Sequence, residues 1–289
     1  MKKTVYSLFV LTGFICLCVA CGGKTTNANG LSNDSIDQES VEGLYTTVTD
    51  PVTGEVRKEL RQKSMPLEQP APMNGVPEQI LKRKSYITSY NKDTKIPNWV
   101  AWHLTSGHTR GNLQRHDNLF HEDMDVTTGR VTDDDYYNSG YDRGHMCPAG
   151  DNKWDQKAMN ETFLFTNICP QIHALNEGPW NDLEMACRRW AQKYGGIYIV
   201  CGPLLSEGVH RTIGKRRVVV PERFFKVILC MQDKPKAIGF IYDNNSSNSN
   251  KMFSHATTID EIERLTGIDF FPSLEDKIEN VVEAERGYF

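Results

Sequence analysis

The residues best suited to chemistry fall between Tyr141 and Trp190. Asp142-Arg143-Gly144-His145 places an imidazole two positions after a guanidinium, and Asn167, Asn176 and Glu184 follow. A neutral imidazole, with a reference pKa of about 6.5, can take a proton from water near neutral pH. Arg143 offers a planar fork that matches a phosphate, and Gly144 lets the backbone approach closely. Hydrolysis of a phosphodiester needs a base for water, an electrophile on the phosphoryl oxygen and a proton for the leaving oxygen. His145, a divalent cation and a water held by that cation would supply all three.

These groups need a helix to hold them. Trp180, Leu183, Cys187, Trp190, Ala191 and Tyr194 recur at helical spacing and form an apolar stripe, with Glu184 at its edge. The plain structural role for Glu184 is an i,i+4 ion pair with Arg188. Pro179 fits a first helical turn, so the helix is expected to begin between Leu175 and Pro179. In a regular helix Asn176 and Glu184 would stand about 80° apart in azimuth and roughly 12 Å apart along the axis. One cation would not easily touch both. Asn176 is therefore the expected direct ligand, with Glu184 acting through water. A neutral oxygen plus waters suits Mg²⁺, with Mn²⁺ as a substitute, and suits zinc poorly. A rival zinc site from Cys169 and His173, with Cys147 or Cys187, lacks any CxxC pair.

The remaining elements read as α+β, with many strands and a few helices. Ser85–Tyr90 and Trp99–Leu104 form an expected hairpin around a polar turn at 91–95. Further strands are expected at Ile197–Cys201, Arg216–Val220, Phe224–Leu229 and Lys236–Tyr242. A short helix is expected from Thr258 to Gly267, with Glu261 closing a capping box. Two charge runs compete for attention. Lys215-Arg216-Arg217 is either a phosphate contact or a solvated face, and Asp133-Asp134-Asp135 reads as a polar loop before a cation site.

Ahead of this body, Lys2 and Lys3 precede an apolar run from Val5 to Ala20, the length of a secretory leader. Val19-Ala20-Cys21-Gly22 resembles a lipobox, although Cys18 stands where leucine is usual. It implies residues 1–20 as a lipoprotein signal peptide and a membrane anchor on Cys21, in a bacterial exported protein facing periplasm or exterior. Residues 21–75 are polar and poor in large apolar groups, as expected of a disordered tether, with a short ordered element around 53–60. The folded domain is expected over 76–289. An oxidising compartment allows disulfides among Cys147, Cys169, Cys187, Cys201 and Cys230, and the ends of two strand-like runs suggest Cys201 and Cys230 as neighbours.

Tyr141-Asp142-Arg143-Gly144-His145-Met146 resembles the DRGH signature of the DNA/RNA non-specific endonucleases, ββα-metal nucleases that include mitochondrial endonuclease G. The likeness continues through Asn167-Ile168-Cys169-Pro170-Gln171, Leu175-Asn176, Trp180 and Leu183-Glu184. It extends to Pro97–Val100, Gly202-Pro203-Leu204, Val220-Pro221, Phe224–Val227 and Ile259–Gly267, so it covers roughly 76–271. It implies a central antiparallel sheet flanked by helices, with a ββα-metal finger. It further implies His145 as general base, Asn176 as magnesium ligand, Glu184 as the outer carboxylate, Arg143 as phosphate holder and Asn167 as a supporting residue. Arg115 matches an upstream arginine that stabilises the transition state, with Arg110 as competitor. The implied activity is sequence-non-specific cleavage of DNA and RNA to 5′-phosphorylated products, in an assembly that allows a homodimer.

A net charge of -4 excludes bulk basicity as the source of nucleic-acid affinity, so any binding must be local. Two other readings use the same residues: a non-catalytic capture module for nucleic acid or protein, and a phosphodiesterase for small nucleotides.

Overall fold

The computed structural model describes residues 45–49, 56–60, 65–114, 120–232 and 234–289. The leader, Cys21 and Arg115 lie outside the described residues. The chain divides into units 1–62 and 63–289. In the first, β1 (Tyr45–Thr49) and β2 (Val56–Leu60) form an antiparallel ribbon, so the element expected near 53–60 has a partner strand the sequence did not reveal.

The second unit is built on a seven-stranded sheet. In chain order its strands are β3 (Gln79–Lys82), β4 (Ile87–Asn91), β5 (Ile96–Thr105), β8 (Gly196–Leu204), β11 (Arg223–Cys230), β12 (Lys236–Asp243) and β13 (Ala256–Thr257). Their spatial order is β13-β12-β11-β8-β5-β4-β3, antiparallel throughout. Between β5 and β8 the chain leaves the sheet to make a separate pair, β6 (Asp142–His145) with β7 (Ile168–Gln171). The helices are α1 (Gln156–Glu161), α2 (Asn181–Tyr194), α3 (Ile259–Thr266) and α4 (Asp276–Ala284).

Both faces of the sheet are covered, which is why its central strands are nearly continuous runs of apolar residues. Strand geometry sends alternate side chains to opposite faces. On β11, Phe224, Ile228 and Cys230 enter one core with α2, while Phe225, Val227 and Leu229 enter the other with α3 and α4. The stripe on α2 packs as its spacing predicts: Leu183, Cys187, Trp190 and Ala191 are buried and Tyr194 packs at the edge. Leu67 and Met73, in the region read as tether, pack against the α3–α4 core, and Ala71 N donates to the Asp269 carbonyl (3.0 Å).

Several expectations need correction. Arg216–Val220 does not join the sheet: β9 (Thr212–Ile213) and β10 (Val218–Val219) make a two-residue ribbon, turned by residues 214–217. Cys201 lies opposite Lys226, and Cys230 stands four residues further along β11, roughly 13 Å away at strand rise. They are not neighbours, and all five described cysteines are free and buried. Thr258 Oγ1 caps α3 by accepting from Glu261 N (3.3 Å), and Gly267 ends it at φ +69. Glu261 does not close a capping box; its carboxylate takes Arg264 Nε and Nη2 (2.8 and 2.7 Å).

Candidate active site

The DRGH tetrapeptide is β6 itself, and its register against β7 sets Asp142 opposite Gln171 and His145 opposite Ile168. Gly144 is required sterically, since a Cβ there would come 2.3 Å from Gln171 Oε1. Beyond His145 the backbone is clamped by the fully buried Asn167. Its Oδ1 accepts from Cys147 N (2.9 Å), and its Nδ2 donates to the carbonyls of Cys147 and Thr162 (2.8 Å each). Asn167 therefore lies behind the cleft. The His145 carbonyl accepts from Trp180 Nε1 (3.2 Å), and its ring meets Phe163 edge-on at 5.0 Å between centroids.

The helix that carries Asn176 and Glu184 is not regular. A helical turn at His173–Leu175 runs into a π-type turn at Asn176–Trp180, broken at Gly178 (φ -101, ψ -118), before α2 begins. The offset calculated for a straight helix does not apply. Asn176 and Glu184 line one open cleft of about 720 Å³ together with Arg143, His145 and Asn181. Strands β6 and β7 followed by α2 make the ββα unit around it.

Asn176 Nδ2 donates to Asp142 Oδ2 (2.9 Å). A carboxylate can only accept, so this bond turns the amide nitrogen away and leaves Oδ1 for the cleft. The same Oδ2 takes His173 Nδ1 (2.9 Å), and that hydrogen bond, Asp142's charge and the charge of Glu177 raise the His173 pKa. Burial pushes Glu184 up to about 7, against the pull of Lys226 and Arg188. The predicted Glu184–Arg188 ion pair is not the one formed: Arg188 pairs with buried Asp151 (2.8 Å). Arg143 is tied to Asp133 through Nε (2.7 Å) and Nη2 (2.6 Å) and lies over the rings of Phe120 and Tyr136. Asp135 pairs with Arg216 (3.1 Å), so the acidic run and one member of the basic run serve structure.

Lys226 is the residue that sequence reasoning placed without a role. It is fully buried on the cleft side of the sheet. Its Nζ lies 4.2 Å from the Trp180 ring centroid and 5.5 Å from that of Trp102. Burial works to lower its pKa, but Cys201, Glu184, Cys187 and Asp151 outweigh burial and leave it raised. Trp180 holds the His145 carbonyl and Trp102 Nε1 donates to Asp151 Oδ2 (3.1 Å), so both indoles under the ammonium also fix site groups. The signal was a lysine inside Phe224-Phe225-Lys226-Val227-Ile228-Leu229, at an inward-facing position. Asn181 was passed over as well, Asp142 was read only as part of the motif, and His173 was weighed only as a zinc ligand. Arg110 is exposed and does not line the cleft. Among the described residues no cysteine joins a group able to hold a metal, which removes the zinc alternative.

The sequence model of the DNA/RNA non-specific endonuclease family matches residues 66–277. The mitochondrial nuclease EXOG of Danio rerio is 35% identical over 219 residues, covering 70% of this chain and 64% of that protein. Mitochondrial endonuclease G of Bos taurus is 34% identical over 209 residues, covering 68% and 70%. Human EXOG is 33% identical, and the chain spans 56% of its length. A crystal structure of an EndoG/EndoGI complex superposes with a TM-score of 0.65 at 30% identity, covering 70% of this chain and 90% of that one. The chain belongs to the DNA/RNA non-specific endonuclease family.

Proposed function

We propose that this cleft hydrolyses phosphodiester bonds of DNA and RNA without sequence specificity, using Mg²⁺ and His145 as general base, to leave 5′-phosphorylated ends. The observation that carries the reading is the convergence of His145, Asn176, Glu184 and Arg143 on one open cleft. The donor set fits a hard divalent cation: Asn176 offers an oriented amide oxygen and Glu184 a carboxylate, and no cysteine is among the described residues that line the cleft. When bound, that cation supplies an electrophile for the phosphoryl oxygen and positive charge for the leaving oxygen. His145 takes the proton from the attacking water. The hydrogen bond from Trp180 and the clamp of Asn167 hold its backbone in place. Arg143 lends its remaining N–H groups to the phosphate while Asp133 fixes its plane, and Arg115 is assigned to the transition state by resemblance alone. A net charge of -4 gives no reason to expect base-specific readout, which needs groove-reading side chains.

The lipobox at Val19–Gly22 supports a second proposal, that Cys21 carries a lipid and anchors the protein on a bacterial membrane. Metabolic labelling with palmitate, lost in Cys21→Ala, tests it.

For the activity, plasmid DNA and structured RNA are incubated with the protein in Mg²⁺ or EDTA. Both are degraded in Mg²⁺, neither in EDTA, and the fragment ends lose a 5′-phosphate to phosphatase. Retention of DNA on a gel with no cleavage under any divalent ion would instead make the protein a capture module.

A further inference from the structure

The far face of the sheet carries an unusual charge arrangement. Carboxylate oxygens of Asp260 and Glu263 on α3 and Glu283 on α4 lie within 4.8 Å of one another. Asp260 is exposed, Glu263 half-buried, and Glu283 only 6% exposed. Glu283 Oε1 is buried with no hydrogen-bond partner. A buried carboxylate oxygen without a donor costs several kcal/mol in general terms, and protein interiors rarely leave one so. Burial, followed by the charges of Glu263, Glu279, Asp260 and Asp269, all of them acids, pushes Glu283 up to about 9. Burial also raises Glu263, Glu279 and Asp269, each with acidic neighbours or by burial alone. Among the described residues none of these five acids forms an ion pair with a lysine or arginine.

We propose that Asp260, Glu263 and Glu283 form a second, non-catalytic site for a hard divalent cation of the calcium class, joining α3 to α4. All-oxygen, all-anionic donors select hard cations over zinc or copper, and ligands spread over two helices suit the larger, more flexible shell of Ca²⁺ better than the strict octahedron of Mg²⁺. The exposed Asp260 leaves an entry path from solvent. The Glu263 carboxylate is already steadied by Phe270 N, which donates to its Oε1 (2.8 Å). The adjoining Asp269 carbonyl receives Ala71 N (3.0 Å), so an ion here would fasten α4 and the 65–75 segment to the same corner of the body. The function is structural: the ion replaces mutual repulsion with shared attraction.

The test uses the full chain carrying Asn176→Ala and Glu184→Gln, so that the cleft does not contribute to cation binding. Calcium chloride is titrated by calorimetry and by thermal melting. One Ca²⁺ binds per chain, the melting temperature rises by several degrees, and Mg²⁺ binds at least tenfold more weakly. Adding Glu263→Gln and Glu283→Gln weakens Ca²⁺ at least tenfold. Because that change removes repulsion, the metal-free variant also melts higher than its parent. Asp260→Asn, at an exposed position, is the second variant if the double change does not fold, and it too weakens Ca²⁺. Absence of Ca²⁺ binding in the cleft-blanked protein, or binding unaltered by Glu263→Gln with Glu283→Gln and by Asp260→Asn, would overturn the proposal. Plasmid cleavage by Glu283→Gln alone, in Mg²⁺, is expected to match the unaltered protein, which separates this site from the cleft.

Discussion

The cleft and the α3–α4 corner both hold a carboxylate that burial has driven toward its neutral form, Glu184 to about 7 and Glu283 to about 9. They differ in what surrounds it. Around Glu184 the chain supplies its own cations, with Lys226 beneath the site and Arg188 beside it, and every nearby acid has a partner: Asp151 with Arg188, Asp133 with Arg143, Asp142 with His173. Around Glu283 the strongest charges are those of acids. The difference separates two ways of keeping a buried acid charged. One builds counter-charges into the fold and leaves an opening for a reactive cation. The other leaves the whole counter-charge to an ion from solution.

Asn176 is the position at which substitution is expected to cost most. Asn176→Ala removes the oriented amide oxygen, and cleavage is expected to fall by about 10²- to 10⁴-fold, the scale of several kcal/mol of cation-derived stabilisation, measured as initial rates on plasmid at saturating Mg²⁺. Melting with Ca²⁺ should still show the shift assigned to the α3–α4 corner. Lys226→Met tests the built-in charge. Loss of a cation buried among Glu184 and Asp151 is expected to destabilise the fold by about 3 kcal/mol in urea titration, and to weaken cleavage beyond what added Mg²⁺ restores. Asp142→Asn loosens the orientation of the Asn176 amide. Activity is expected to drop about 10- to 100-fold, with a higher Mg²⁺ requirement, as for other partners of metal ligands.

Glu283 also makes stability depend on pH, with a smaller effect. The folded pKa of Glu283 is raised above its unfolded value, so the native state binds the extra proton between about 4.5 and 9. Its contribution to stability is therefore greatest at low pH and is lost as pH rises through that window. Without divalent ions the melting temperature should decline from pH 5 to 9. Glu283→Gln should flatten that decline, and Ca²⁺ should reverse it in the unaltered protein.

How much of this was legible beforehand depends on the kind of interaction. The alternation in β4, the continuous apolar runs of β5, β8, β11 and β12 and the stripe of α2 are local patterns, and they appear where their spacing puts them. DRGH was readable because the tight β6–β7 pair needs its glycine, packed against Gln171. The π-type turn at Asn176–Trp180, broken at Gly178, was not readable, because Pro179 fits a regular first turn equally well. That turn is why the offset of a straight helix does not describe the placing of Asn176 against Glu184. The ion pairs went to partners distant in sequence: Arg188 to Asp151 rather than Glu184, Arg143 to Asp133. A local i,i+4 rule has no access to such choices. Helix α4 escaped notice because its buried face is short, Val282 and Glu283, and an acid in that position reads as surface.

The role proposed for His145 is to activate water in this cleft. Single-turnover cleavage of supercoiled plasmid by His145→Ala, at saturating Mg²⁺ and with DNA binding followed on the same samples, tests it most directly. Binding is expected to be retained and the rate to fall by at least about 10²-fold, the lower bound for removing a general base. An unchanged rate in the variant would contradict it.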